Sequence, residues 1–549
     1  MKIGIGQIDT TVGDFEGNRR LIEDAVHRAQ KDGAQLVIFP ELAICGYPPE
    51  DLLLRPAFLA AHDHSLDSLA QNLPPDLPVL VGCLEQNPDA GRSGGRPLYN
   101  AAALLEDGLA RVVARKSLLP TYDIFDESRY FEPWTRPQEN LITVADQRVG
   151  IVICEDGWND AEFFSHRRYA LDPVECVVKA GAQVVVNLSA SPWNHAKEAF
   201  RCKMVQAAAA RHRVPIVYVN LVGGNVGLLF DGGSLAIQPE GLAFPPRYFE
   251  PAVIVVDTEH EWCEPLPEVP AIEMTYKALV QGLRDYFRKF GFRSAVIGVS
   301  GGIDSAVTAT LATDALGKQN VVGLLMPSKF SSEHSLTDAK ALCENLGIQH
   351  ETVPITSVCD AFERTLAAHF AGKPADVTEE NLQARARAVI LMAHANKHGH
   401  LVLATGDKSE CAVGFCTLYG DTCGALAVIA DLWKTEVYEL ARHLNRSATR
   451  IPLHTLQKPP SPELRAGQLT TDHLPPYDQL DPVLRCLIER ELSVSDTSRK
   501  TGMPLAEVKA IAARIERAEF KRFQYPPTLR VSDRCWDGRR VPVGHRFVE

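Results

Sequence analysis

The sequence lacks the features of a membrane, secreted or nucleic-acid-binding protein. No apolar run approaches the roughly 18 residues that a membrane-spanning helix needs, so we expect no membrane span. The N-terminal stretch MKIGIGQIDTTVGD has no charged segment followed by an apolar one, so we expect no export. The formal net charge of −12 is negative, whereas a protein surface that binds nucleic acid is positively charged. We therefore expect neither a membrane nor a nucleic acid as a partner.

The 13 cysteines lack the spacing of a disulfide framework or of a metal site. Their number is odd, their spacing is irregular, and several fall inside apolar, strand-like runs. Cys411, Cys416 and Cys423 contain no C-x-x-C pair, which disfavours metal binding there. The pattern is typical of reduced thiols, so we expect a cytoplasmic protein.

Length and patterning predict two α/β domains. A chain of 549 residues is too long for one hydrophobic core. Strand-like and helix-like runs alternate in both halves, and an acidic, proline-containing stretch separates the halves at 259–271. We predict a first domain over 1–260, a linker over 261–271 and a second domain over 272–549.

Three local patterns predict particular elements. Apolar residues at helical spacing between Asn18 and Lys31, followed by Gly33, predict an amphipathic helix. The Asp107-Gly108 pair between two strand-like runs predicts a β-hairpin. The Pro- and Gly-containing stretch 457–478 predicts a long loop, of a length that is usually functional or disordered.

Three motifs of the first half each place one reactive side chain at the end of an apolar run. They are FPELAICGYPPED with Glu41, ARKSLLPTYDIFDESRYF with Lys116, and GIVICEDGWN with Cys154. A thiol attacks a carboxamide as thiolate, so a nearby carboxylate must take its proton. A buried ammonium can then stabilise the tetrahedral oxyanion. Together the three residues suit amide hydrolysis through a thioester, although each alone is as readily a surface charge or an inert core thiol.

These motifs resemble the nitrilase-type amidase superfamily over nearly all of residues 2–257. The resemblance implies an N-terminal nitrilase-like α-β-β-α sandwich. It implies a catalytic triad with a second glutamate that supports the lysine, formed by Glu41, Lys116, Cys154 and Glu127. It also implies glutamine contacts at three positions, Tyr122, Ser191 and Lys197.

In the second half, the stretch VIGVSGGIDSAVTA has the form of a phosphate-binding loop without the lysine of a Walker motif. Gly301, Gly302 and the N–H groups that open the next helix at Ile303 make a cradle for an anion. A carboxylate at Asp304, beside this cradle, suits a Mg²⁺ ligand. The loop is predicted to receive pyrophosphate with its metal, and the alternative is a structural turn with an incidental Ser-Gly-Gly.

The loop resembles the pyrophosphatase loop of ATP-dependent synthetases that adenylate a carbonyl oxygen. Five further motifs resemble NAD synthetase: ENLQARARAVILMAHAN, TGDKSECAVGFCTLYGD, KPPSPELRAGQ, LPPYDQLD and EFKRFQYPP. With the amidase half, the chain from residue 2 to about residue 545 resembles the glutamine-dependent NAD⁺ synthetases of the bacterial short form. The resemblance implies a C-terminal Rossmann-like adenine-nucleotide α-hydrolase domain with a parallel sheet. It also implies an AMP-forming ligase that converts deamido-NAD⁺ to NAD⁺.

The resemblance further implies the binding residues of the second half. ATP contacts are implied at Gly298, Val299, Ser300, Gly301, Gly302, Ile303, Asp304, Ser305 and Thr405. Deamido-NAD⁺ contacts are implied at Asn381, Glu410, Phe415, Cys416, Thr417, Leu418 and Lys521. Mg²⁺ ligands are implied at Asp304 and Glu410. The implied partners are glutamine, deamido-NAD⁺ and ATP, and the implied assembly is a homo-oligomer.

The chain departs from the family pattern at two places. Val226 and Gly227 replace the acidic or amide residues that are usual in glutamine-using members. Asp407 stands where the family usually has asparagine, and its carboxylate either lies near Mg²⁺-ATP or points outward. Arg385 and Arg387 are a further open question, since they either contact phosphate or lie on a solvated helix face.

Two other functions remain open from the sequence. One is a glutamine-fed ligase that amidates a different carboxylate, and the deamido-NAD⁺ motifs disfavour it. The other is a non-catalytic scaffold with one inactive site, which two complete sets of reactive residues disfavour. The preferred reaction needs unprotonated ammonia at the second site, which predicts a dry passage between the two sites.

Overall fold

The chain forms two compact units, Met1–Val269 and Pro270–Glu549. This computed structural model describes four stretches of the chain: residues 1–195, 197–244, 246–259 and 269–547. Of the predicted linker 261–271, residues 261–268 lie outside the described residues. Within the described stretches, no helix is both long enough and apolar enough to cross a membrane.

The first unit alternates strands with helices. Its strands are β1 (Lys2–Gln7), β2 (Leu36–Ile38), β3 (Val79–Gln86), β4 (Leu98–Glu106), β5 (Leu109–Arg115), β6 (Leu141–Val144), β7 (Gln147–Ile153), β8 (Val184–Ser189), β9 (Ile216–Asn220), β10 (Val222–Asn225), β11 (Leu228–Asp231), β12 (Leu235–Gln238), β13 (Gly241–Phe244) and β14 (Ala252–Asp257). Its helices are α1 (Phe15–Lys31), α2 (Pro56–Asn72), α3 (Ala90–Ser93), α4 (Pro173–Lys179) and α5 (Lys197–His212).

Two six-stranded sheets pack face to face between layers of helices. Their strand orders are β14-β1-β2-β3-β4-β5 and β13-β12-β9-β8-β7-β6. The apolar core between them joins residues such as Ile5 and Ile38 of one sheet to Ile151 and Val219 of the other. A second cluster joins the first sheet to α1 and α2, and a third joins the second sheet to α4 and α5. The predicted α-β-β-α sandwich is confirmed.

Local sequence signals account for the boundaries of these elements. Helix α1 begins three residues before its predicted start, because the side chain of Asp14 caps it by accepting the N–H of Gly17 at 2.9 Å. The predicted hairpin is confirmed between β4 and β5. Its turn residues Asp107 and Gly108 both have positive φ angles, 53° and 74°, which this tight turn requires.

The second unit contains one five-stranded sheet with helices around it. Its strands are β15 (Ala295–Gly298), β16 (Val321–Leu325), β17 (Gln349–Thr352), β18 (Leu401–Ala404) and β19 (Leu426–Ala427). Its helices are α6 (Ala271–Phe290), α7 (Ile303–Leu316), α8 (Glu333–Leu346), α9 (Thr356–Phe370), α10 (Val377–His398), α11 (Lys408–Val413), α12 (Lys434–Leu444), α13 (Leu453–Gln457), α14 (Tyr477–Leu484), α15 (Val494–Thr501), α16 (Leu505–Arg517) and α17 (Glu519–Arg522).

The sheet of the second unit is parallel and positions a cleft. Its order is β17-β16-β15-β18-β19, and each pairing is parallel. The chain therefore reverses its direction of winding between β15 and β18, which is where open α/β sheets bind ligands. Helix α10 covers one face of the sheet through a cluster that joins Ala395 to Val296 and Val402. The predicted Rossmann-like fold with a parallel sheet is confirmed.

The predicted loop 457–478 is irregular between α13 and α14, apart from one 3₁₀ turn at Thr470–Asp472. Its first part, from Lys458 to Leu464, lines the cleft of the second unit. The loop is therefore part of the wall of a candidate site.

Candidate active sites

In the first unit, strand ends bring three predicted residues into one buried site. Glu41 follows β2, Lys116 follows β5 directly, and Cys154 follows β7 directly. Glu41 and Lys116 are 0% exposed, and Cys154 is 8% exposed. Charged side chains are rarely buried to this degree unless they are paired.

Lys116 lies between two carboxylates. Its Nζ is 2.7 Å from Oε1 of Glu41 and 2.8 Å from Oε2 of Glu127. Glu41 also accepts hydrogen bonds from Nδ2 of Asn100 at 2.7 Å and from the N–H of Ala190 at 3.1 Å. Glu127 accepts one from the hydroxyl of Tyr47 at 3.0 Å. The ion pairs and hydrogen bonds fix both carboxylates in orientation.

Burial and charge set the protonation of this site. Burial raises the pKa of Glu127 to about 7, although the neighbouring ammonium of Lys116 opposes the rise. Burial alone would lower the pKa of Lys116, but the carboxylates of Glu127 and Glu41 outweigh it and hold the pKa well above its usual range. Burial, and then the charge of Glu41, raise the pKa of Cys154. The resting thiol therefore keeps its proton and needs a base.

Cys154 lies on a sharp turn at the end of its strand. Cys154 has a φ of 46° and opens the 3₁₀ turn Cys154–Gly157. Its N–H donates to Oδ1 of Asn187 at 2.8 Å. Asp156 accepts the N–H groups of Ser117 and Leu118 at 3.0 and 2.8 Å, which ties this turn to the segment after Lys116. The site is therefore held by backbone contacts as well as by ion pairs.

Of the predicted glutamine residues, Tyr122 contacts the same turn. Its hydroxyl donates to Oε2 of Glu155 at 2.9 Å, directly beside Cys154 in the chain. Ser191 is buried, and its N–H donates to Oδ1 of Asn220 at 2.9 Å. Nζ of Lys197 donates to the carbonyl of Pro192 at 2.6 Å. The structure thus gives each of the three a defined protein contact, and their contact with glutamine stays a prediction.

The departure at Val226 and Gly227 falls in the turn between β10 and β11. Val226 is 48% exposed and has a φ of 55°, which is unusual for a β-branched residue. The adjacent Asn225 is buried and donates from Nδ2 to the carbonyl of Tyr47 at 2.7 Å. In this turn, Asn225 therefore makes a polar side-chain contact that Val226 and Gly227 cannot make.

In the second unit, the phosphate-binding loop opens onto a cleft of about 340 Å³. The predicted ATP residues that line it are Gly298, Val299, Ser300, Gly302, Ile303, Asp304, Ser305 and Thr405. The lining residues predicted to contact deamido-NAD⁺ are Glu410, Phe415 and Thr417. The cleft is therefore lined by the loop after β15 and by the segment after β18, together with parts of α8, α10 and the 458–464 loop.

The loop is shaped by its glycine and its two serines. Gly301 has a φ of 79°, and a Cβ there would clash with the carbonyl oxygen of Ser335. The Oγ of Ser300 accepts the N–H of Gly302 at 3.2 Å, and the Oγ of Ser305 donates to the carbonyl of Gly302 at 3.1 Å. The loop then leads into the N-terminus of α7, where free N–H groups and the helix dipole favour an anion.

The remaining predicted residues hold the neighbouring segment 414–418. Oδ1 of Asn381 accepts the hydroxyl of Thr417 at 2.8 Å. Nζ of Lys521 donates to the carbonyls of Gly414 and Cys416, at 2.7 and 2.6 Å. Leu418 offers its carbonyl to Nε of Arg385 at 3.1 Å. Asn381, Cys416, Leu418 and Lys521 therefore lie around one segment, next to the residues that line the cleft.

The two arginines left open by the sequence have different environments. Arg387 lines the cleft and donates from Nε to the carbonyl of Met326 at 3.1 Å. Burial lowers the pKa of its guanidinium. Both Arg385 and Arg387 are half-buried, and a contact of either one with phosphate stays a prediction.

A lysine does reach the loop, from a distant part of the chain. Lys434 is the first residue of α12 and its side chain is 1% exposed. Its Nζ lies 2.9 Å from both carboxylate oxygens of Asp304 and 3.0 Å from Oε1 of Glu410. The sequence motifs missed it because it lies 130 residues after Asp304. The only signal was a single lysine that follows the apolar run VIADLW.

Asp407 points inward, so the interpretation that its carboxylate points outward is wrong. The residue is buried and caps α11, with Oδ1 accepting the N–H of Glu410 at 2.9 Å. Its Oδ2 lies 2.6 Å from Nζ of Lys434. Burial raises the pKa of Asp407 to about 7, and the ammonium of Lys434 opposes the rise. The extra negative charge is therefore matched by an adjacent positive one.

The same carboxylates suit a hard divalent cation. Ligand oxygens of Asp304, Asp407 and Glu410 lie within 4.8 Å of one another. Mg²⁺ prefers carboxylate oxygens and keeps several waters, and the partly exposed Asp304 and Glu410 face the cleft. The pair of Asp304 and Glu410 therefore fits Mg²⁺.

Three further supporting residues are not singled out by the sequence pattern, although Tyr47 and Glu155 lie inside two of the quoted motifs. Asn100 and Tyr47 orient the two glutamates of the first site, and Glu155 binds Tyr122. Each is a buried or partly buried polar residue. That signal is too common in globular proteins to single them out.

Two family models cover most of the chain. The model described as carbon-nitrogen hydrolase matches residues 2–259, and the model described as NAD synthase matches residues 275–525. These two matches agree with the division of the chain into a sandwich unit and a parallel-sheet unit.

Full-length relatives share this combination. A glutamine-dependent NAD(+) synthetase of Synechocystis is 43% identical over 553 residues, which is 99% of this chain and 99% of the relative. One of Thermotoga maritima is 39% identical and covers 100% of this chain and 99% of the relative. The solved structure of a glutamine-dependent NAD⁺ synthetase of Acinetobacter baumannii, in complex with ADP, is 33% identical, with a TM-score of 0.76 and coverage of 99% and 98%. The chain belongs to the family of glutamine-dependent NAD⁺ synthetases.

Proposed function

We propose that this chain makes NAD⁺ from deamido-NAD⁺, ATP and glutamine, and releases glutamate, AMP and pyrophosphate. It is a carbon–nitrogen ligase with glutamine as the amide donor and performs the last step of NAD⁺ biosynthesis. The observation that carries the proposal is the occurrence, on one chain, of a buried Lys116–Glu41 ion pair in the first unit and of a cleft beside the Ser-Gly-Gly loop in the second. Full-length relatives of this chain are named glutamine-dependent NAD(+) synthetases.

In the first site, Glu41 takes the proton of Cys154, and the sulfur attacks the carboxamide carbon of glutamine. Lys116 stabilises the oxyanion because its charge is buried and fixed between Glu41 and Glu127. Glu41 returns that proton to the leaving nitrogen, ammonia departs, and water opens the thioester with Glu41 again as the base. Tyr122, Ser191 and Lys197 are proposed to contact the glutamine.

In the second site, the loop from Gly298 to Ser305 binds the phosphates of ATP. The carboxylate of deamido-NAD⁺ attacks the α-phosphorus, pyrophosphate leaves, and the carboxylate oxygen becomes part of a good leaving group. Ammonia then attacks the carbonyl carbon and AMP departs. Bound Mg²⁺ would neutralise phosphate charge, and Asp304 and Glu410 would hold it. The proposed deamido-NAD⁺ contacts are Asn381, Glu410, Phe415, Cys416, Thr417, Leu418 and Lys521.

The domain boundaries and the cellular setting are part of the proposal. The amidase domain extends over 1–260 and the synthetase domain over 272–549, which the two family matches support. A reducing, cytoplasmic location is supported by twelve described cysteines that are free thiols. We propose a homo-oligomer, which light scattering on the purified chain would test.

Ammonia must pass from the first site to the second as NH₃, because NH₄⁺ has no lone pair with which to attack. A passage that excludes water would keep ammonia unprotonated and prevent the waste of glutamine. Comparison of glutamate and NAD⁺ yields in one reaction tests this transfer. Equal yields support it, and a large excess of glutamate contradicts it.

A substrate panel tests the reaction directly. The purified chain is supplied with ATP, Mg²⁺ and either glutamine or an ammonium salt, together with deamido-NAD⁺ or another adenylatable acid. NAD⁺ and AMP should form with both nitrogen sources and only with deamido-NAD⁺. Amidation of a different acid in preference to deamido-NAD⁺ would contradict the proposed substrate.

A further inference from the structure

The ammonium of Lys434 lies where a cation is expected in the candidate synthetase site. Its Nζ is 2.9 Å from Asp304 and 3.0 Å from Glu410, the two proposed Mg²⁺ ligands. Each contact uses a carboxylate lone pair that a metal ion would also need. A divalent cation and the lysine therefore compete for the same oxygens.

Asp407 differs from the other two carboxylates of this cluster. The side chains of Asp304 and Glu410 are 23% and 21% exposed, whereas that of Asp407 is 0% exposed. Asp407 is also attached to the backbone through its cap of α11, because Oδ1 accepts the N–H of Glu410. Its other oxygen stays directed at Nζ of Lys434, 2.6 Å away. A metal entering from the cleft would meet Asp304 and Glu410 first.

We propose that Lys434 holds the place of the divalent cation in the metal-free protein, and that Asp407 retains the ammonium when the metal takes Asp304 and Glu410. The inference rests on the proposed function, since it uses the proposed Mg²⁺ ligands. An ammonium that lost all three carboxylates would be a buried charge without compensation, which is strongly unfavourable. Asp407 removes that penalty and keeps Lys434 at the wall of the cleft. It is therefore a positioning residue and not a third metal ligand.

Binding of Mn²⁺ to the full chain without ATP, followed by electron paramagnetic resonance of the free ion, tests the competition. Lys434→Met should bind Mn²⁺ about tenfold more tightly than the unchanged protein, because the competing cation is gone. Asp407→Asn should bind Mn²⁺ about threefold to tenfold more weakly, because the displaced ammonium then lacks a carboxylate. Equal affinities in the Lys434→Met variant and the unchanged protein would overturn the competition.

The double variant separates positioning from direct ligation. In the Lys434→Met background, Asp407→Asn should change Mn²⁺ affinity by less than about twofold, because its effect acts through the lysine. A metal ligand, or a simple loss of negative charge, would weaken binding by the same factor in both backgrounds. That equal loss would overturn the role of Asp407.

Controls keep folding and function separate from the inference. Asparagine also caps helices well, so Asp407→Asn should retain the N-terminus of α11 and its thermal midpoint is checked. Lys434→Gln replaces the methionine variant if that one does not fold. NAD⁺ formation from ammonium is measured separately on the unchanged protein. Its absence would contradict the proposed function, whereas the Mn²⁺ affinities alone decide the inference.

Discussion

At the scale of single residues, burial and ion pairing set the charge of each group in the first site. The ammonium of Lys116 forms ion pairs with both Glu41 and Glu127. Its positive charge therefore compensates negative charge on these two buried side chains. Burial raises the pKa of Cys154, so in the resting protein the thiol keeps its proton and is a weak nucleophile. This fits the proposed role of Glu41 as the base that takes the thiol proton.

Glu41→Gln and Lys116→Ala should each prevent the thioester with glutamine, and their losses should overlap in the double variant because the residues act as a unit. Mass spectrometry of the protein after mixing with glutamine measures the acyl-enzyme. Glu106→Gln, which changes an exposed glutamate of the same unit, is the matched control and should acylate normally. A normal acyl-enzyme in both site variants would remove these residues from the mechanism.

Asp304→Ala should strongly reduce NAD⁺ formation with either nitrogen source, by about a hundredfold or more, because a metal ligand beside the phosphate loop is lost. AMP release should fall in parallel and the Mg²⁺ requirement should rise. Glutamine hydrolysis should persist at a basal level, since the thiol site is unchanged. Glutamate, AMP and NAD⁺ are measured in one reaction. Near-normal NAD⁺ formation at saturating Mg²⁺ would contradict the metal role.

At the scale of elements, three helix N-termini meet around one lysine. Asp304 lies in the first turn of α7, Asp407 caps α11, and Lys434 opens α12. Carboxylates are favourable at helix N-termini, whereas a lysine there is not. The acidic residues at α7 and α11 therefore compensate for the position of Lys434 on α12.

The ion pair between α5 and β11 stabilises the first unit in a testable way. Arg201 and Asp231 are both 0% exposed, with NH1 of the arginine 3.1 Å from Oδ1 of the aspartate. Arg201→Met should lower the free energy of unfolding by about 3–5 kcal/mol, because it leaves a buried carboxylate unpaired. Native-state hydrogen exchange over α5 and β11 measures the change. The double variant Arg201→Met/Asp231→Leu should lose less; an equal or larger loss would contradict the explanation.

The elements also show what sequence reasoning can reach. Glu41, Lys116 and Cys154 were predictable because each lies in a local motif at the end of an apolar strand. The apolar pattern predicts the start of α1 three residues too late, because the cap at Asp14 lies outside that pattern. Lys434 and Asn100 were not predictable, since they lie 130 and 59 residues from their carboxylate partners and only tertiary folding brings them together. The inward orientation of Asp407 was not predictable either, because it depends on the position of Lys434 in the folded chain.

At the scale of the whole molecule, the chain joins two chemistries, of which the first supplies the nitrogen that the second uses. A carboxylate is a poor electrophile, so the second unit needs ATP to activate it. Ammonia is mostly protonated at neutral pH, so the first unit supplies it from glutamine on demand. Each unit has its own core and its own site, which predicts that the two half-reactions can be separated by substitution.

The most direct measurement is NAD⁺ formation by Cys154→Ala with glutamine and then with an ammonium salt. Glutamine-supported synthesis should fall by at least about a thousandfold, because the thiol is the only proposed nucleophile for the amide. Ammonium-supported synthesis should stay within about twofold of the unchanged protein, because the second site is independent of the thiol. Cys176→Ala, at a half-buried thiol of the same unit, should leave both activities intact. Equal loss of both activities in a folded Cys154→Ala variant would contradict the account.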